Sequence, residues 1–110
     1  MTIRTLAERK AATVAAKQAA VLVLRRQLDE HAPTLGGRYL LYGSAARGEL
    51  RYDSDVDPLL DFPDDEVTSA AWGFAETACA ALGLVHDIRP VALCGARFLA
   101  HVLPEAIKLP

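Results

Sequence analysis

The run Tyr42-Gly43-Ser44-Ala45-Ala46-Arg47-Gly48-Glu49-Leu50-Arg51-Tyr52-Asp53-Ser54-Asp55-Val56-Asp57 sets a Gly-Ser pair ten residues ahead of an Asp-x-Asp pair. Immediately upstream, Arg38-Tyr39-Leu40-Leu41-Tyr42 is rich in aromatic and aliphatic side chains, follows Gly36-Gly37, and predicts a short strand ending at Gly43. In an extended segment side chains alternate faces, so Asp55 and Asp57 are expected to point the same way. Two carboxylates held side by side repel unless a cation lies between them. Mg²⁺ suits such a pair, because it takes hard oxygen ligands and fills its remaining positions with water and substrate phosphates. Gly43 lets backbone approach a ligand closely, and Ser44, Ala45 and Ala46 suit the opening of a short helix. Free N–H groups at a helix start attract anions, and the Ser44 hydroxyl adds a donor. The expected arrangement is a phosphate cradle facing a metal-binding edge.

A plainer reading makes Asp53-Ser54-Asp55 a polar loop whose short side chains satisfy turn backbone. That reading leaves the Gly-Ser offset unexplained. Half of the 14 acidic residues lie between Asp53 and Glu66, a density that costs electrostatic stability without a cation or basic partner. Asp61, Asp64, Asp65 and Glu66 are expected to be solvated loop and helix-start charges, the acids before Val67 favouring a helix N-terminus. Arg47 has two readings: a planar fork on triphosphate oxygens, or a partner for Asp53 or Asp55 that pins the turn. Arg51 is expected to be exposed or at a protein contact. Tyr42 reads as a packing residue, and Tyr52 is undecided.

The run Gly43-Ser44-Ala45-Ala46-Arg47-Gly48 followed by Ser54-Asp55-Val56-Asp57 resembles the Gly-Ser-x10-Asp-x-Asp signature of the polymerase-beta-like nucleotidyltransferase superfamily. In particular it is similar to the minimal nucleotidyltransferase (MNT) branch, whose small proteins serve as antitoxins beside HEPN-domain toxins. The resemblance implies Mg²⁺-dependent transfer of a nucleoside monophosphate, AMP from ATP, to a hydroxyl on a partner HEPN toxin. It implies Gly43, Ser44 and Arg47 at the nucleotide, Asp55 and Asp57 as catalytic metal ligands, and a third carboxylate on a later strand as ligand or base. Leu84-Val85-His86-Asp87-Ile88-Arg89 is the later strand-like segment that carries an acid, so Asp87 is the candidate; its plainer reading is a surface aspartate at a strand end. Two alternatives stand beside this reading. One is a stand-alone nucleotidyltransferase acting on a small-molecule hydroxyl; the other is a non-catalytic antitoxin acting by occlusion. Pro58 departs from the aliphatic residue that the resemblance implies after Asp57.

With 110 residues the chain is expected to form one domain, residues 1–110, with a single core and no separate acceptor-recognition domain. A partner would then supply the acceptor, and a hetero-oligomer is expected. The net charge of −2 and scattered basic residues argue against direct nucleic-acid binding. No secretory signal or membrane-spanning run is evident, which predicts a cytoplasmic protein. Cys79 and Cys94 lack metal-ligand spacing and read as reduced, packed thiols. His31, His86 and His101 form no ligand cluster, and alternation sends His86 to the face opposite Asp87.

The fold class expected is α/β (α+β), a small mixed sheet of about three strands with helices packed on one face. A long helix spans about 5–31, opened by the Thr5-x-x-Glu8 capping box and ended by Pro33 and Gly36-Gly37. Ala7, Val14, Val21 and Leu28 recur every seven residues, with Ala11, Ala15, Leu22 and Leu24 widening the stripe. Core packing is expected for Val21 to Leu28; the Ala-rich first half is core or a partner face. Further elements are a strand from Val56 to Phe62, pushed toward an edge or bulge by Pro58. A helix over about 64–82, a strand over 84–93, a short helix over about 95–103 and an extended tail complete the series.

Overall fold

The computed structural model describes residues 5–42, 50, 51, 53–102, 104, 107 and 108. Helix α1 runs from Leu6 to Leu35 and holds seven alanines between positions 7 and 20, alanine being the residue that loses least on becoming helical. The capping box forms as expected. The Thr5 hydroxyl accepts from the Glu8 N–H at 3.1 Å, and the Glu8 carboxylate accepts from the Thr5 N–H at 3.3 Å. At the other end the helix passes through Pro33 and stops at Gly36, whose φ of 71° is the left-handed conformation that glycine tolerates. Ending the helix at Pro33 was the expectation; the proline instead removes the one bond its N–H would give to the Asp29 carbonyl, and the helix runs two residues further to Leu35.

Strand β1 (Arg38–Tyr42) pairs antiparallel with β2 (Asp57–Asp61), Tyr42 opposite Asp57 and Arg38 opposite Asp61. Helix α2 (Asp65–Ala81) follows, capped by the Asp64 carboxylate, which accepts from the Val67 N–H at 2.8 Å. The expected strand over 84–93 is reduced to a bridge between Val56 and His86 and a two-residue β3, Arg89–Pro90, parallel to β2. A 3₁₀ turn (Val91–Leu93) and helix α3 (Ala96–Val102) come next. The tail, expected to be simply extended, adds β4 (Ile107–Lys108) antiparallel to β1. The sheet order is β3-β2-β1-β4.

Strand β2 is therefore central, although Pro58 predicted an edge or a bulge. The hydrogen bonds explain the difference. Val56 donates to the Val85 carbonyl, and the Asp87 N–H donates to Val56, so Val56 faces the β3 side. Alternation turns Pro58 the same way, putting its missing donor toward the irregular 85–89 stretch instead of toward β1. Pro90 likewise lacks a donor. Asp87 turns its N–H toward β2, so Pro90, three residues on, turns its missing donor away from β2, and it is Pro58 that removes a bond from this pairing.

The sheet's two faces differ. Tyr39, Leu41, Val56 and Leu60 pack with Val21, Leu24, Leu28 and Ala32 of α1 and with Ala71, Ala75 and Cys79 of α2, forming the main core. The two long helices thus cover one face. On α1 the buried set begins at Val21, so the stripe predicted from Ala7 onward reaches the core only in its second half. Leu22, placed in that stripe by sequence, is 64% exposed because it sits about 100° around the axis from Val21. The opposite face carries a smaller cluster, Leu40 and Leu59 with Tyr42, Val91, Cys94 and Phe98. Asp57 shares the alternation of Leu59 and belongs to that face. Both cysteines are free thiols, Cys79 buried and Cys94 half-buried. No helix among the described residues is long and apolar enough to cross a membrane.

Candidate active site

Two features hold the Asp-x-Asp segment. The first is a turn in which the Ser54 N–H donates to the Arg51 carbonyl at 3.1 Å and the Arg51 N–H donates to Ser54 Oγ at 2.8 Å. The Lys17 ammonium of α1 reaches across to the Ser54 carbonyl at 2.7 Å, tying the turn to the middle of the long helix. The second is the Val56–His86 bridge, with Val56 N–H to Val85 O at 2.9 Å and Asp87 N–H to Val56 O at 3.0 Å. His86 is thereby registered against Val56, and Asp87, one residue on, against Asp57.

Asp57 opens β2 half-buried, while Asp55 just before it and Asp87 beside it are exposed. The Asp57 carboxyl is pushed up to about 6, first by burial, then by the negative charges of Asp87 and Asp55, with Arg89 partly offsetting them. Its neighbours thus place it among carboxylates without a matching cation. Arg89 is committed mainly to Asp87, donating to its Oδ2 from Nε at 3.2 Å and from Nη2 at 2.9 Å. The guanidinium lies 5.3 Å from the centre of the Phe98 ring, and Phe98 meets Tyr42 edge-on at 5.7 Å. Tyr42 is also raised, chiefly by burial and then by the charge of Asp57. A chain of contacts Asp87–Arg89–Phe98–Tyr42 therefore runs round the half-buried Asp57 on the face away from the long helices.

Among the described residues no three His, Cys, Asp or Glu side chains lie close enough together to hold a metal ion. The donor set nevertheless fits Mg²⁺, which needs only one or two carboxylates when substrate phosphates complete its shell, and the mutual repulsion felt at Asp57 is what a cation relieves. Gly43, Ser44 and Arg47 lie outside the described residues, as does Tyr52. Tyr42, the residue before Gly43 in sequence, is the cross-strand partner of Asp57, so β1 ends opposite the start of β2. The remaining acids behave as expected of surface charges: Asp53, Asp65 and Glu66 are exposed, Asp61 pairs with Arg38 at 2.6 Å, and Asp64 caps α2; Arg51 is exposed as well. His86, whose Nδ1 lies 3.1 Å from the Leu84 carbonyl, keeps to its own strand. Sequence reasoning missed Lys17, Arg89 and Phe98. No spacing signal could have found Lys17, which acts 37 residues away; Arg89, two residues past Asp87, was findable by alternation.

The family model of the nucleotidyltransferase domain matches residues 23–94, a segment that contains β1, β2, the Asp-x-Asp pair and Asp87. The chain belongs to the nucleotidyltransferase domain family. Its fold is similar to a solved structure described as "Crystal structure of the toxin-antitoxin with AMP-PNP", with a TM-score of 0.58 and 21% identity. The similarity covers 84% of this chain and 72% of that one, and at this identity it is a likeness of fold. None of the curated proteins matches the chain.

Proposed function

We propose that the chain is an antitoxin that transfers a nucleoside monophosphate, AMP from ATP, to a hydroxyl on a HEPN-domain toxin. The observation that carries this reading is the half-buried Asp57 beside Asp87 and Asp55 on the sheet face that the long helices leave uncovered, its carboxyl raised first by burial and then by those two charges. Family membership supports nucleotidyl transfer, and the neighbour described as a toxin-antitoxin with AMP-PNP supports the kind of partner and nucleotide.

In this reading Asp55 and Asp57 hold Mg²⁺, with Asp87 as third carboxylate. When bound, the metal neutralises phosphate charge and orients the α-phosphate. The acceptor oxygen attacks the α-phosphorus, the bond to the bridging β-oxygen breaks, and pyrophosphate leaves. The hydroxyl proton passes to the Asp87 carboxylate, which Arg89 holds in place. Gly43, Ser44 and Arg47 grip the triphosphate. Positioning and charge supply most of the rate, so these few residues suffice. A second reading, neutralisation of the toxin by occlusion without transfer, draws on the competition of Arg89 for the Asp87 carboxylate that would take the proton.

An affinity series with ATP, ADP and AMP in the presence of Mg²⁺ tests the nucleotide grip. Affinity should fall along the series, and Ser44→Ala should weaken ATP by about 0.5–3 kcal/mol, the range of a hydrogen bond that ends on a charged group. AMP binding as tightly as ATP would refute the triphosphate cradle.

A further inference from the structure

Two cavities share a wall along the β3 edge of the sheet. The first, about 530 Å³, lies between α2 and the 3₁₀ turn; Trp72, Pro90 and Leu93 form its apolar part, with Asp65 and Glu76 among its other walls. The second, about 410 Å³, is walled by Trp72, Pro90 and Leu93 again and continues to Arg89 and Phe98. Together they make one groove that leads from α2 to the Arg89–Asp87 pair.

Its character is uneven in a useful way. Leu93 stands at the junction 80% exposed, although it is a large aliphatic side chain. Among the described residues the α2 end has two exposed carboxylates and no lysine or arginine in its walls. From Asp65 to Glu76 is eleven residues of helix, about 16 Å, the reach of about five extended residues. An open groove of that length, apolar in the middle and acidic at one end, fits an extended polypeptide better than a compact metabolite.

We propose that this groove docks the acceptor-bearing segment of the partner protein. The segment sets an aliphatic or aromatic side chain between Trp72 and Leu93 and two basic side chains on the acids, one against Asp65 and one against Glu76. Its hydroxyl then lies beside Asp87. The placement of the hydroxyl rests on the transfer reading above; the docking itself does not.

Trp72 is the chain's one tryptophan and lines both cavities, so its emission reports occupancy directly. The full chain is titrated with two synthetic peptides, each carrying one leucine and one tyrosine, flanked by lysines in one and by glutamates in the other. The lysine peptide should give a saturable change in Trp72 emission, and the glutamate peptide none. Joint reversal by Asp65→Lys and Glu76→Lys should weaken the lysine peptide by about tenfold, two exposed charges being worth little singly and more when attraction becomes repulsion. Leu93→Ser, at an exposed position that the fold does not need, should also weaken it by about tenfold. Both variants should keep wild-type ATP affinity, and Asp57→Asn should keep wild-type peptide affinity, so the docking and transfer readings fail separately. Equal responses to the two peptides, no saturable response to either, or unchanged affinity in the reversed and Leu93→Ser variants would overturn the proposal.

Discussion

Asp57→Asn should abolish transfer while making the nucleotide-free protein more stable. Loss of one charge at the centre of the site is expected to cost about a thousandfold or more in rate, since preorganised charge is the largest catalytic contribution of such a site. The stability gain follows from the raised carboxyl. Asp57 goes from 3.8 to about 6 on folding, so between those values the folded chain holds a proton that the unfolded chain has released. Stability contributed by this group is therefore present below pH of about 4 and lost as pH rises through about 6. The full shift corresponds to about 3 kcal/mol, and partial solvation of the carboxyl reduces the expected gain in the Asn variant to about 1–2 kcal/mol at neutral pH. Urea midpoints across this range check the sign. A wild-type advantage over Asp57→Asn that grows as pH rises would contradict it.

Removal of the metal should have the second large effect. Three carboxylates and a triphosphate repel one another, so chelating Mg²⁺ should weaken ATP by about 3 kcal/mol, roughly a hundredfold. Metal binding also requires Asp57 to be ionised, so Mg²⁺-ATP affinity should climb with pH through about 6 and then level off. Below that point each pH unit costs up to about tenfold in affinity. Calorimetry in buffers of different ionisation enthalpy should show proton release on binding near pH 6, absent in Asp57→Asn. A flat affinity profile in the wild type would remove Asp57 from the metal.

What the sequence disclosed was local. The capping box of Thr5 and Glu8, the acids before Val67 and the aromatic and aliphatic run Arg38 to Tyr42 each act within a turn or a strand, and each element stands close to its expected limits. Elements set by distant partners were misread. Pro58 looked unsuited to a central strand because the side to which its missing donor turns depends on Val56 pairing with residues 85–87. The strand over 84–93 shrank for a related reason: that the donor Pro58 lacks falls on the β3 side is invisible until β2 and β3 are set side by side. Leu22 was read as core because hydrophobicity alone does not fix which side of the helix meets the sheet, and it stands about 100° round the axis from Val21. At the site, the carboxylates were legible from spacing, and the structure puts Asp55 and Asp87 near enough to Asp57 to raise it. The contacts that arrange them were not: Lys17 on the Ser54 carbonyl and Phe98 between Arg89 and Tyr42 join segments far apart in the chain.

The most direct test of the central claim is the intact mass of the partner. The chain is co-expressed with a HEPN-domain toxin, and the toxin is weighed after purification. With the wild-type chain its mass should rise by one nucleoside monophosphate, and with Asp55→Ala, Asp57→Ala combined it should not change. A toxin that is neutralised by the wild-type chain and by the double variant alike, with no added mass in either case, would contradict transfer and establish occlusion.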